Sequence, residues 1–558
     1  MPQDAYTLRH IARELNAALS GGKVNKIIQP SRDEVDILLY AGGKTQKLLL
    51  NTHATFARAV LSRQARTAPE VAPNFCMLLR KHLTGAQLTS VTQLGFERIL
   101  GFAFDCTGEF ARAERVLYAE IMGKYSNLVL TENGVILGAL KVSSLQENFK
   151  RVLFPGVKYA PPAAQDKADP TDRAALAARL SAFSGGDLAR FLSANVAGLA
   201  YSTCALFAPK LPQDAPAEEL ADSLRALIFS DETAPAVERV NGEPTDFHAR
   251  LEGGERYASV LEAADSYYTE REEKRGFADA KRRLESALHA RLKKEEKKLA
   301  LLEERRRGCA DMEKSRLYGE LLTANLYAVP RGAESCTLSN WYEEGSPAVT
   351  VPLDRQLTPS QNAQKYYKKY NKLKRTLAAV EPQIAEAEEE RAYTLSMLFE
   401  VRGAEEGADL VETEEELRAA GVLPAPQKKK NAPARQSPFR AFEAAGFRIF
   451  AGRNNLQNDR LLREASPHDV WLHAQRYHSA HVLVRTEGKK LPDAVLQTAA
   501  EICAYYSDAQ NEERVPVDVC ERRFVKKPPK ARAGFVVYTD FTTVAANPNA
   551  HPELAVRE

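Results

Sequence analysis

Apolar residues near the start of the chain recur at helical spacing. Leu8, Ile11, Ala12, Leu15, Ala18 and Leu19 share one face, and Gly21-Gly22 ends the run. The period then changes. EVDILLY (34–40) and KLLLN (47–51) flank Gly42-Gly43, which predicts a β-hairpin because two glycines accept the backbone of a tight turn. A helix is expected over FCMLLRKHL (75–83), with strands near RILGFAF (98–104) and SNLVLT (126–131). Residues 1–165 are therefore expected to form an α+β domain.

YAPPAAQDKADP (159–170) reads as a linker, since prolines and polar residues dominate it. The pattern over 171–230 is helical. Within it, FSGGDLARFLS (183–193) sets a glycine pair between helical stretches, and a helix–hairpin–helix region is expected over 170–265. Such units can hold phosphate on helix N-termini; a plain helical connector fits equally well. Leu284, Leu288, Leu292, Leu299 and Leu302 stripe the most charged part of the chain, RLKKEEKKLALLEERRR (291–307). Tyr366, Tyr370, Leu373, Leu377, Val380 and Ile384 then step by four and three, the seam of a coiled coil. Two long helices around a small insert (319–358) predict an antiparallel coiled-coil arm over 268–415, although such charge runs are also the ordinary solvated faces of helices. A basic, Pro-rich linker is expected over 416–438, and a second α+β domain over 439–558 with a helix near 494–507. The predicted fold class is multidomain α+β.

The length of 558 residues suits roughly three to five folding units. A net charge of +3 does not announce a nucleic-acid binder, so any electrostatic footprint must be local. The seven cysteines include no CxxC pair, which leaves neither a zinc ribbon nor a redox motif and fits reduced thiols in the cytoplasm. The first residues are polar where a signal peptide needs an apolar stretch, and no long apolar run predicts a membrane span.

Three segments could carry chemistry. The first joins Glu97-Arg98, at the head of a strand, to Glu120-Ile121-Met122-Gly123, a strand end followed by a turn. An arginine fork suits phosphate or guanine, and a carboxylate can accept from base amino groups; a structural ion pair between strands is the alternative. The second is 446–485. Gly452, Arg453, Asn454, Asn455, Gln457, Asn458 and Asp459 crowd hydrogen-bonding groups into one turn, and His468, His473, His478 and His481 follow. Their spacing matches no zinc pattern, so no metal or other cofactor is expected, and no Ser or Cys nucleophile with a base partner emerges. The third is RRFVKKPPKAR (522–532), where Lys526, Lys527 and Lys530 stand among arginines beside Phe524. It suits a phosphate backbone, although an exposed solubilising loop has the same composition.

These segments resemble the RqcH/NFACT family. GRNNLQND (452–459), DVWLHAQ (469–475), HSAHVLV (478–484) and VKKPPKARAGFVVY (525–538) stand in the order of its RNA-binding domain. NFCMLLRKHLTGAQL (74–88), FERIL (96–100), YAEIMGKYSNLVL (118–130), YGELLTANLY (318–327) and LDRQLTPSQNAQKYYKKYNKLK (353–374) extend the resemblance almost end to end. It implies an N-terminal domain similar to formamidopyrimidine-DNA glycosylase, a helix–hairpin–helix region, a coiled-coil arm and a C-terminal RNA-binding domain. It implies as partners the obstructed large ribosomal subunit with its peptidyl-tRNA, and alanyl-tRNA brought in for untemplated alanine tailing. The ribosome makes the peptide bonds; the protein, a monomer on the subunit, positions tRNA and has no catalytic residue of its own. The tRNA motifs fall on Glu97-Arg98 and on Glu120, Ile121, Met122 and Gly123, with Glu97 standing where the family has Asp. RNA and ribosome contacts fall on Gly452, Arg453, Asn454, Asn455, Asn458, Asp459, His473, His481, Lys526, Lys527 and Lys530.

Two other function classes fit the sequence less well. A DNA glycosylase would use Pro2 as nucleophile, but the acidic residues that should directly follow that proline and a C-terminal CxxC finger are missing. A matrix-binding adhesin would need an export signal or anchor.

Overall fold

The computed structural model describes residues 3–107, 112–143, 151–163, 165–424, 437–529 and 531–556. Pro2, Lys530 and most of the expected basic linker (425–436) lie outside the described residues. Two compact units divide the chain, Met1–Arg275 and Gly276–Glu558.

The first unit opens on α1 (Ala5–Leu19), capped by Asp4, whose Oδ1 accepts from Thr7 N at 2.9 Å. It continues through β1 (Lys23–Ser31), β2 (Glu34–Ala41), β3 (Lys44–Asn51), β4 (Arg58–Leu61), α2 (Asn74–Leu83), β5 (Gln87–Gln93), β6 (Ile99–Thr107), β7 (Arg112–Glu120), β8 (Asn127–Glu132) and β9 (Val135–Ala139). The strands make one nine-stranded antiparallel sheet in the order β4-β3-β2-β1-β5-β6-β7-β8-β9. The expected hairpin is β2–β3, turning through Gly42 and Gly43 at φ +56° and +78°. β1 and β5 carried no strand signal, and of β7 only the end at Glu120 was expected. In β5, for example, only Leu88 and Val91 are buried, so a polar composition hides the period.

Four short helices follow: α3 (Arg173–Leu180), α4 (Leu188–Asn195), α5 (Tyr201–Phe207) and α6 (Ala217–Phe229). A three-stranded sheet that the helical reading of 170–265 lacked comes next, from β10 (Ala236–Val240), β11 (Glu243–His248) and β12 (Glu255–Arg256). Its strands are short and partly charged, which disguised them. Leu8, Phe102, Leu192, Phe207 and Tyr267 belong to one core, so the sheet and the small helices stabilise each other. The segment 159–163 is less free than a linker: Tyr159 stacks on Tyr118 at 4.1 Å.

α7 (Val260–Arg307) begins in the first unit and continues into the second, followed by α8 (Met312–Ala324), the hairpin β13 (Ser335–Ser339) and β14 (Ala348–Pro352), α9 (Pro359–Gly403) and α10 (Gly407–Ala419). Lys281 Nζ donates to Arg402 O at 2.6 Å, Arg291 meets Glu390 at 3.0 Å, and Leu302 packs with Val380 and Ile384. Residue numbers rise along one helix as they fall along the other, so the two run antiparallel. The expected stripe on α9 is the buried one at Val380 and Ile384 and half-buried from Tyr366 to Leu377. Helix α8 takes up the start of the insert expected at 319–358, and α10 takes up the start of the linker expected at 416–438.

The C-terminal domain runs β15 (Arg440–Ala444), β16 (Phe447–Ala451), α11 (Asn455–Glu464), β17 (Val470–Ala474), β18 (Val482–Arg485), α12 (Asp493–Tyr505), β19 (Val515–Glu521), β20 (Val525–Lys526), β21 (Val537–Tyr538), β22 (Thr542–Ala546) and β23 (Ala555–Val556). Seven strands form an antiparallel sheet in the order β22-β19-β17-β18-β16-β15-β23. Side chains alternate across it. Ile449, Leu472 and Val482 pack under α12, while Phe450, Trp471 and Leu483 pack under α11.

Candidate RNA interface

In the first unit, the turn before β6 and the turn after β7 meet. Ile99 pairs with Glu120, and Ile121 N donates to Arg98 O at 2.8 Å. The two expected tRNA motifs therefore form one corner of the sheet. Their side chains differ in availability. Glu97 is half-buried and its carboxylate has no hydrogen-bond partner among the described residues. Glu120 is fully buried; its carboxylate takes a fork from Arg151 and a hydrogen bond from Tyr159 Oη at 2.9 Å. Arg151 lies in no strand, so this is not an ion pair between the motif's own strands; it spends Glu120 on holding the 151–159 segment. Ile121 is buried, Met122 is half-buried with its N–H on Ser126 Oγ at 2.8 Å, and Gly123 sits at φ +60°. The exposed pair beyond the turn, Lys124 over the Tyr125 ring at 4.9 Å, was missed by sequence reasoning.

In the second unit, the 452–459 turn faces inward. Asn454 caps α11, accepting from Gln457 N at 2.8 Å, and its Nδ2 donates to Glu412 Oε2 at 2.7 Å. Asn455 N donates to Glu400 Oε1 at 2.7 Å. Gln457 Nε2 reaches Glu412 at 3.1 Å and Ser437 Oγ at 2.7 Å. Asn458 Oδ1 accepts from His481 N at 3.1 Å. Gly452 is required there, since a Cβ would lie 2.0 Å from Asn458 Oδ1. Arg453 meets Asp409 at 3.4 Å and Glu405 at 3.6 Å. The 452–459 turn, whose crowded polar groups were expected to meet RNA, is for Asn454, Asn455 and Asn458 a buried joint. The missed partners are the carboxylates of α9 and α10. Their one sequence signal is Glu412 and Glu416 spaced to share a helix face.

Those carboxylates differ in charge preference. Burial, reinforced by the Glu416 charge, pushes Glu400 well above the usual carboxylate range. Glu416 is also raised, burial outweighing its bonds from Tyr393 and Asn455. Burial would raise Glu412 too, but donors from Asn454, Ser437 and Gln457 hold it low.

The basic stretch is partly neutralised. Arg522 is spent on the backbone of Leu462 at 2.7 Å, Lys527 pairs with Asp459, and Arg532 meets Glu390 at 3.3 Å. Lys526 is exposed, and its ammonium has no partner among the described residues.

His481 is buried and His473 half-buried. Their rings are 5.6 Å apart and both contact Trp471. Burial lowers His473 to about 4 and His481 further, so both imidazoles are neutral. They border a cavity of about 390 Å³ whose walls also include Phe399, Glu400, Arg476 and Phe535. No group of His, Cys, Asp and Glu among the described residues is arranged to hold a metal ion. No helix among them is long and apolar enough to cross a membrane.

Comparison with known proteins agrees with this layout. Residues 4–436 match the family model of the NFACT N-terminal and middle domains, and residues 438–536 match the NFACT protein RNA binding domain. "Rqc2 homolog RqcH" of Bacillus subtilis (strain 168) is 34% identical over 99% of this chain and 98% of its own. The protein of the same description in Streptococcus suis (strain 05ZYH33) is 31% identical over 98% of both chains. Solved N-terminal and C-terminal structures of the fibronectin/fibrinogen-binding protein of Streptococcus suis align at 29% and 28% identity. They cover 48% and 50% of this chain and 99% of each of theirs, with TM-scores of 0.42 and 0.40. The architecture and the two family matches define a multidomain α+β protein with an NFACT RNA-binding domain over residues 438–536. The chain belongs to the NFACT family, alongside the RqcH proteins.

Proposed function

We propose that the protein acts in ribosome-associated quality control. It binds large ribosomal subunits obstructed by a peptidyl-tRNA and recruits alanyl-tRNA for untemplated C-terminal alanine tailing of the stalled chain. The observation that carries this reading is the near end-to-end relation to RqcH proteins, with 98% of the Bacillus subtilis protein spanned. The ribosome makes the bonds; this chain contributes position. The antiparallel α7–α9 pair serves as the coiled-coil arm, and 170–230 as the helix–hairpin–helix region.

The corner at Glu97-Arg98 and 120–123 handles tRNA. Its working groups are Glu97, Arg98 and the main chain of Ile121–Gly123, while Glu120 positions them. In the C-terminal domain Lys526, Lys527 and Lys530 contact phosphate, and Gly452, Arg453, Asn454, Asn455, Asn458 and Asp459 hold that surface in shape. His473 and His481 form the floor of the neighbouring cavity.

The test is to purify the full chain from cells and sequence the RNA that accompanies it, alongside co-sedimentation with free large subunits. Enrichment of large-subunit RNA with one alanine tRNA is expected. Replacing Lys526, Lys527 and Lys530 by Gln should weaken sedimentation and reduce its salt dependence, by about one phosphate contact per lysine. Replacing Arg98 by Ala should remove the tRNA and leave the subunit. Absence of large-subunit RNA would overturn the assignment.

A further inference from the structure

The cavity beside His473 and His481 has a composition that joint-building does not explain. Three residues that line it each carry a buried polar atom without a hydrogen-bond partner: Trp471 Nε1, His481 Nδ1 and Glu400 Oε2. A buried polar atom without a partner is costly, so three at one place point to a ligand that supplies their partners. The groups available are an indole donor, a neutral imidazole and a buried carboxyl, a set suited to an uncharged ring with both donors and acceptors on its edge. The wall surfaces are aromatic. Phe399 and His473 are half-buried and Phe535 is exposed, all three facing the same space.

The mouth has the opposite character. Arg476 borders the cavity, is exposed, and its guanidinium has no partner among the described residues. Its backbone is left-handed at φ +66°, a conformation that non-glycine residues keep where the surroundings enforce it. A flat uncharged hydrogen-bonding ring inside and an anion at the entrance describe a nucleotide. A volume of about 390 Å³ admits one base.

We propose that this cavity receives a single unpaired RNA nucleobase, inserted among Phe399, His473 and Phe535 with its phosphate on Arg476. The proposal rests on the RNA-binding reading of this domain and adds recognition of an extruded base to it.

Only two tryptophans occur, Trp341 and Trp471, so Trp341→Phe in the full chain leaves Trp471 as the sole reporter at the cavity. Its fluorescence should respond to at least one of AMP, GMP, CMP and UMP, and to a six-nucleotide single-stranded RNA. It should not respond to ribose 5-phosphate or to the same RNA made abasic. Arg476→Ala should weaken the response at least ten-fold, and Ala392→Phe, which fills the mouth from α9, should abolish it. The proposal is overturned if no nucleotide changes the signal, if ribose 5-phosphate acts equally, or if both variants respond as the parent does. A response to free nucleotides without one to the RNA would overturn an RNA base as the occupant. Co-sedimentation of the same proteins with large subunits separates the two readings. Retained sedimentation with no nucleotide response sinks the base pocket alone, whereas a parent protein that fails to sediment sinks the proposed function.

Discussion

Asn454 joins two elements at once: its side-chain oxygen caps α11 by accepting from Gln457 N at 2.8 Å, and its Nδ2 reaches Glu412 of α10 at 2.7 Å. Asn454→Ala removes a helix cap and strips a donor from a buried carboxylate. A cap is worth about 1 kcal/mol and a hydrogen bond to a charged group about 1.5–3, so a loss of about 2.5–4 kcal/mol is expected. Urea unfolding of the full chain measures it; a change within about 0.5 kcal/mol, usual for surface positions, would refute the buried-joint account.

Gly452 is set by close approach rather than by turn geometry, since its φ is not left-handed. A methyl group there would meet Asn458 Oδ1 at 2.0 Å and displace it from His481 N. Gly452→Ala should cost about 1–3 kcal/mol, as other overpacked sites do. Asn458→Ala in the same protein should recover part of it. Lack of any recovery in thermal melts of the double variant would show that the clash lies elsewhere.

Glu120 and Arg151 are a buried fork, so each residue of the pair stabilises the other. Glu120→Ala leaves the guanidinium without its counter-charge and should cost about 3–5 kcal/mol. Glu97→Gln, at a half-buried carboxylate without a partner among the described residues, should leave stability unchanged and alter tRNA retention. Equal stability losses in the two variants would break this division of roles.

Two buried groups of the first unit titrate in opposite senses. Burial, then the charges of Arg9 and Arg13, lowers His10 from 6.5 to about 4. Its folded form resists a proton, so its stabilising part is complete above pH 6.5 and is lost as pH falls toward 4. Burial, then the charge of Glu34, raises Asp36 from 3.8 to about 6. Its favourable protonated form is fully present below pH 3.8 and is lost as pH rises through 6. Asp36→Asn should therefore stabilise by about 3 kcal/mol at pH 8 and by little at pH 4. His10→Leu should flatten the decline between pH 6.5 and 4. Melting temperatures recorded from pH 4 to 8 test both; an Asp36→Asn gain that is the same at both ends would exclude titration as its source.

Much of the architecture was legible along the chain. Helices with a repeating apolar face, the Gly-Gly hairpin and the α9 stripe follow from local period, because one buried face imposes that period on the residues themselves. Strands such as β5 and β10 were not legible. Their few buried positions acquire meaning only when neighbouring strands and helices cover them.

The same contrast divides the candidate site. The sequence by itself singled out the segments proposed to meet RNA: Glu97-Arg98, 120–123, 452–459 and the lysines near 526. It also determined the family, through many separated motifs. Tertiary structure alone decided what each side chain does. Glu400 and Asn455 stand far apart in the chain yet share a 2.7 Å hydrogen bond, which turns a polar loop into a joint. Arg151 similarly claims Glu120. A hydrogen-bonding residue looks alike in sequence whether it faces solvent, RNA or a buried partner. Only folding fixes the partner, because burying a polar group without one costs more than the fold can spare.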